Sequence, residues 1–271
     1  MTRRTLVLAG HSLRRLRGVL IVLGLLLAGF QFLLTEVASY LLEQGAFSPL
    51  AALIPDFVRT AVGPSVLGFM SFKGIVSLGY FHPIVLTALV GLMIAIATEP
   101  AGEVEQRFVD LILARPLTRL ELISRTVVVL IAAGGLMLLL MVAGTFSGLA
   151  CCAAANAEQP APESVLALAV SLASIAAAWA GITLAIAASV RRRAVGGAIA
   201  GVAAFAAYLV DYLGRAWEPA APLGTISPFH YFEPMPLIMG ARLSVWNIAV
   251  LSVIAVAGAA VSYAVFARRD I

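Results

Sequence analysis

Apolar residues in this chain come in long unbroken runs, and the polar residues gather between them. Six windows hold no formal charge: Gly18–Thr35, Gly74–Thr98, Thr126–Ala157, Ser164–Val190, Ala194–Val210 and Leu243–Ala267. A bilayer core calls for roughly 20 apolar residues per helix. Lipid offers no partner for backbone polar groups, so only helices or a closed barrel cross it. A barrel needs short strands of alternating polarity, and these runs do not alternate. The pattern predicts an all-α membrane protein with six transmembrane helices, over about 18–42, 74–98, 124–150, 164–190, 194–214 and 243–267. Each span is expected to be unbroken. Every piece between spans is too small to bury a core of its own, so residues 1–271 are expected to form a single membrane domain.

The remaining segments carry weaker patterns. Over residues 2–17, Leu6, Ala9, Leu13 and Leu16 share a stripe that continues to Leu20, with Arg3, Arg4, Arg14 and Arg15 off it. That spacing predicts an amphipathic helix in the membrane interface. The opening "TRRTLVL" superficially resembles a twin-arginine signal, but no small-x-small cleavage site follows the apolar run, so an uncleaved anchor is expected. Glu43–Lys73, with its prolines and glycines, predicts one or two short surface helices. "NAEQPAPES" and "RRRAVGG" are turns. After the fifth span, prolines at 219, 222, 228, 234 and 236 forbid a regular helix across "WEPAAPLGTISPFHYFEPMPLIMGARL". That segment is too apolar for an ordinary loop, and a re-entrant or surface-lying hairpin outside the membrane is expected.

Composition agrees: 62% of residues are hydrophobic and 12% charged, against about 25% charged in a soluble domain. Lys and Arg collect on the cytoplasmic side of a membrane protein. With an inside N-terminus, 14 of the 18 fall inside, leaving Arg59, Lys73, Arg215 and Arg242 outside. Both termini are therefore expected in the cytoplasm, in the inner membrane of a bacterium whose Arg- and Ala-rich usage suits a G+C-rich genome. Topology accounts for the positive charge, and no basic patch remains for nucleic acid. Cys151 and Cys152 are adjacent, a geometry that disfavours a disulfide between them.

Several chemistries are missing. The one lysine, Lys73, follows Phe72, so no Gly-Lys-Ser/Thr phosphate loop exists. His11, His82 and His230 are far apart, and neither HExxH nor G-x-S-x-G occurs. No enzyme activity, cofactor or metal is expected in this chain. Acids near membrane depth are functional candidates by default, which singles out Glu36 and Asp211. Asp211 has Arg215 four residues on, in the favourable acid-first order. His230, Glu233, Met235 and Met239 cluster in the last hairpin. Soft and imidazole ligands together suit copper, but an interfacial aromatic and Met-rich hairpin explains them as well. Glu36, Asp211, His230 and Glu233 are the gate or pathway candidates. Gly144–Gly148 and Gly197–Gly201 have the spacing of close helix contacts.

One stretch breaks the apolar rhythm. Ala97–Thr126 holds nine charged residues between two runs with none. Pro100 and Gly102 suit a helix start, where Glu103 and Glu105 favour the positive end. Val104, Phe108 and Leu111 fall on one stripe, while Glu103, Gln106, Arg107 and Asp110 occupy other faces. Pro116 ends the helix, and Thr118 can cap the next. The spacing predicts a short cytoplasmic helix with an apolar face for the bundle and a charged face for a partner.

"EVEQRFVDLILARPLTRLELISR" resembles the motif of type-2 ABC transporter permeases, through Asp110, Leu111, Leu113, Pro116 and Arg119. "ALIPDFVRTAVG" and the end "VFARRDI", with Phe266, Arg268, Arg269 and Asp270, are similar to the same family. Arg107 stands where many members have Gly, and Arg125 where Lys is usual. The resemblance implies the permease subunit of an exporter. Its partners would be a second permease chain, in a homo- or heterodimer, and two copies of a P-loop ATPase carrying ATP and Mg. Residues 2–17 would be the elbow helix, and Glu103–Arg115 the coupling helix. Glu103, Arg107, Phe108, Asp110, Leu111, Arg115 and Arg119 would meet the ATPase. The hairpin after the fifth span would cap the outer gate. An ion-gradient carrier using Glu36 and Asp211 is the first alternative, and a non-transport assembly factor the second.

Overall fold

The computed structural model describes residues 3–47, 70–105 and 119–268. Residues 48–69, which hold "ALIPDFVRTAVG" and most of the Glu43–Lys73 stretch expected to form surface helices, lie outside these residues, as do segment 106–118 and the end 269–271. Among the described residues every regular element is helical. The long ones are α1 (Arg3–Glu43), α5 (Arg119–Cys152), α6 (Pro162–Ser189), α7 (Arg193–Ala216) and α10 (Val245–Arg268). The second apolar run is built from α2 (Phe72–Ser77), a 3-10 turn at Leu78–Tyr80, α3 (Pro83–Ala97) and α4 (Glu99–Glu105). Two short helices, α8 (Ala221–Gly224) and α9 (Pro234–Ile238), lie between α7 and α10. Six stretches are long and apolar enough to cross a membrane.

Two expectations change here. No break separates an interfacial segment from the first span, because α1 is one helix of 41 residues. Ala9 and Leu20 of its stripe are buried in the core, while Leu6 is exposed. The second span is broken, not continuous. Phe81 and His82 leave helical geometry, and Pro83 starts α3 behind a His82 cap. A residue before proline is pushed away from the α region, and proline suits a first helical turn, so "YFHP" marks the break.

α6 is the central helix. Leu168, Leu172, Ile175 and Trp179 on it are buried among α3, α5, α7 and α10. Close approaches fasten the bundle in two pairs. In the first, Gly144 of α5 lies on the Ala28 backbone of α1, and Gly148 packs against Thr35 and Phe32. In the second, Gly181 of α6 faces the Ala255 backbone of α10, and Gly258 faces Gly181. A side chain at any of these would push the helices apart. Gly197 and Gly201, the other spaced pair, have open space around them. α7 packs through Gly196, Ala200, Ala204 and Asp211, while Val202, Phe205, Tyr212 and Leu213 stay exposed.

Candidate functional site

At the end where α3 stops and α5 and α7 begin, the charged island forms a joint. The Thr98 hydroxyl bonds back to the Ile94 and Ala95 carbonyls, at 2.9 and 3.2 Å, and closes α3. The helix restarts at Glu99, where an acid suits the positive end. One turn separates Glu99 from Glu103, so both carboxylates face the same way. Arg125 of α5 meets them: Nη1 is 2.7 Å from Glu103 Oε1, and Nη2 is 4.0 Å from Glu99 Oε2. Exposures of 8% for the Arg125 side chain, 12% for Glu99 and 22% for Glu103 make this a buried ion network. Arg193, at the start of α7, closes the other side. Its backbone N–H donates to Glu105 Oε2 at 3.0 Å, and its Nη2 donates to the Ala95 carbonyl at 2.9 Å. The Arg193 stem lies across Gly102, where a Cβ would stand 3.0 Å from Cδ. α4 is thus clamped to α3, α5 and α7.

The helical spacing assigns Glu103 to the charged, partner-facing side. The structure turns it inward to Arg125, because an unpaired arginine buried there would be costly. Arg107, Phe108, Asp110, Leu111 and Arg115 lie outside the described residues. Arg119 opens α5, and its side chain is not among those described.

At the opposite end the hairpin after α7 folds back along that helix. Ser227 Oγ donates to the Ala207 carbonyl at 2.8 Å. Arg215 Nε donates to Asp211 Oδ2 at 2.9 Å, forming the acid-first pair in the sequence. Arg215 Nη2 also reaches the Phe229 and His230 carbonyls, each at 3.3 Å. His230 Nδ1 stands 3.7 Å from Asp211 Oδ1. Phe229 packs on Trp179 and Tyr208, and lines a hollow of about 320 Å³ with Leu86 and Val90 of α3 and Phe205 of α7.

Of the gate candidates, the fold unites Asp211 and His230. Glu233 instead accepts from Asn247 Nδ2 of α10 at 3.1 Å. Glu36 is exposed on α1 beside Cys152, on a different helix pair. His230 turns to Asp211, Met235 packs partly buried on the core, and Met239 is exposed. No group of three His, Cys, Asp or Glu side chains converges among the described residues.

A further polar site surrounds the break in the second span. Gln31 of α1 is fully buried, and its amide presses on Gly79. Neither amide atom makes a well-formed hydrogen bond among the described residues, although the Tyr80 hydroxyl is nearby. Tyr80 Oη and Thr145 Oγ1 are 2.9 Å apart, and the Thr145 hydroxyl donates to the Met141 carbonyl at 3.1 Å. The His82 ring meets Phe30 edge-on at 5.4 Å. Sequence inspection missed this cluster. A Gln inside one apolar run, with Gly79 and Pro83 inside another, was the available signal.

Such an assembly, with six apolar spans and polar side chains at its breaks and ends, is that of a multi-pass membrane protein. Residues 53–267 match the family model "Multidrug efflux system permease Rv1217c, C-terminal domain", and the chain belongs to that family, a family of membrane transport permeases. No curated protein and no solved structure matches the chain.

Proposed function

We propose that this chain is the membrane subunit of an ABC-type multidrug exporter. It forms the substrate pathway with a second permease chain and draws on two copies of a separate P-loop ATPase, which carry ATP and Mg. The observation that carries this reading is the clamped α4. It leads the chain into the charged segment 106–118, and α5 returns from that segment. A partner's push there would pass through Glu103–Arg125 to α5 and through Arg193 to α7. Arg107, Phe108, Asp110, Leu111, Arg115 and Arg119 supply the partner contact. The exposed apolar face of α7 suits a second permease chain, and the folded-back hairpin, as a re-entrant element, suits an outer gate. The membrane is a bacterial inner membrane, with both termini in the cytoplasm.

The test is an affinity pull-down of the tagged chain from gently solubilised native membranes, with co-purifying proteins identified by mass spectrometry. A stoichiometric P-loop ATPase is expected. Charge reversal at Asp110 with Arg115 should then lower transport-linked ATPase activity while membrane insertion persists. An intact chain without an ATPase would overturn the proposal in favour of an ion-gradient carrier. The broken second span favours that second reading, since carriers place their sites on discontinuous helices. In that case Glu36→Gln and Asp211→Asn should abolish gradient-driven uptake.

A further inference from the structure

The two glycine-fastened pairs, α1 with α5 and α6 with α10, meet through α5 without filling the space between them. Between them runs a seam with a hollow of about 440 Å³, floored by Leu89 and Met93 of α3. Its walls are apolar throughout, from Gly134 and Gly135 of α5 to Ala177 of α6 and Ala255 of α10. At the rim, Ile131 and Val256 are 70% and 69% exposed, so the seam opens sideways. Its α5 wall covers Val127 to Leu138, roughly 12–28 Å along the helix from Arg119. That range falls within a hydrocarbon layer of about 30 Å.

Protein interiors are close-packed, and an empty hollow of this size would forfeit the dispersion contacts of its lining. Within each pair backbone already touches backbone, at Gly144–Ala28 and Gly181–Ala255, so each wall of the seam is fixed to its partner helix and cannot shift into the hollow by itself. Water is unsuited, since it needs polar partners and the lining offers no polar side chain. The surrounding medium at this depth is lipid hydrocarbon. We infer that the seam is a binding site for one phospholipid acyl chain, held between the two helix pairs. This site goes beyond the transport reading and does not depend on the identity of any ATPase.

The experiment uses the full chain in vesicles of phosphatidylcholine and phosphatidylglycerol containing a phospholipid with a diazirine at the end of one acyl chain. After irradiation, adducts are mapped by mass spectrometry. Labelling is expected to concentrate on 127–138, 173–184 and 255–259 over the lipid-facing stretch 19–26 of α1. A Cβ at Gly135 meets nothing within 4 Å, and Gly135 lines the seam, so Gly135→Leu, verified by a parent-like thermal midpoint, places its side chain in the seam. It displaces a comparable length of tail, and seam labelling should fall about tenfold. Gly29→Leu, equally unobstructed on α1, should leave it unchanged. Even labelling of α1 and the seam, or no response to Gly135→Leu, would mean ordinary surrounding lipid and overturn the site. So would an efficient Val256→Cys disulfide between two copies with unlabelled seam peptides, which would place a second chain there.

Discussion

The two arginine joints at opposite ends of the bundle are built from the same chemistry on different scales. Arg215 finds Asp211 one turn away on its own helix, and the pair forms whenever α7 forms. Arg125 finds Glu103 22 residues away on another helix, and only the assembled bundle brings them together. The first joint is half open, with Arg215 48% exposed. The second is enclosed. A local, wet pair steadies a nearby hairpin, whereas an enclosed, non-local pair holds two helices, α4 and α5, in register. Burial raises the penalty for leaving either partner alone.

The most severe way to break this comparison is Arg125→Met, which leaves two enclosed acids without their cation. We expect about 3 kcal/mol of destabilisation, read as a lowered thermal midpoint in mild detergent. Adding Glu99→Gln and Glu103→Gln to that variant should recover most of the loss. Failure to recover would place the damage in packing and not in charge. A smaller effect is expected from Asp211→Asn, about 1 kcal/mol once solvent screening at Arg215 is allowed for. Hydrogen exchange should rise across 218–240 and stay unchanged in α3; a rise in both would make the outer joint global too. The smallest is Lys73→Ala. Lys73 and Glu158 are 2.8 Å apart, with Glu158 80% exposed, and about 0.5 kcal/mol is expected. High salt should erase the difference between that variant and the parent chain.

The same contrast explains what the sequence revealed. The apolar runs announced six membrane-length stretches, because span length and lack of charge are local properties. The Asp211–Arg215 pair followed from spacing alone. Arg125–Glu103 did not, since no local pattern says which acid an arginine will choose. Likewise, Gly144–Gly148 and Gly197–Gly201 have identical spacing, yet one meets a helix backbone and the other open space. Spacing tells that a face is small, not that a neighbour is present. The break at Leu78–Pro83 was legible in "YFHP" but was masked by the surrounding apolar run. Its partner Gln31 sits in another helix, and only the fold places it opposite Gly79.

The uninterrupted α1 has a mechanical consequence. Its 41 residues make a rod of about 60 Å, twice the hydrocarbon thickness of about 30 Å. A rod without a hinge behaves as a first-order lever. Tilting it by about 5° around its midpoint carries each tip about 3 Å, in opposite directions. Any sideways force on the Arg14–Arg17 arm would therefore reappear, reversed, at Ser39 and its bond to the Cys152 carbonyl.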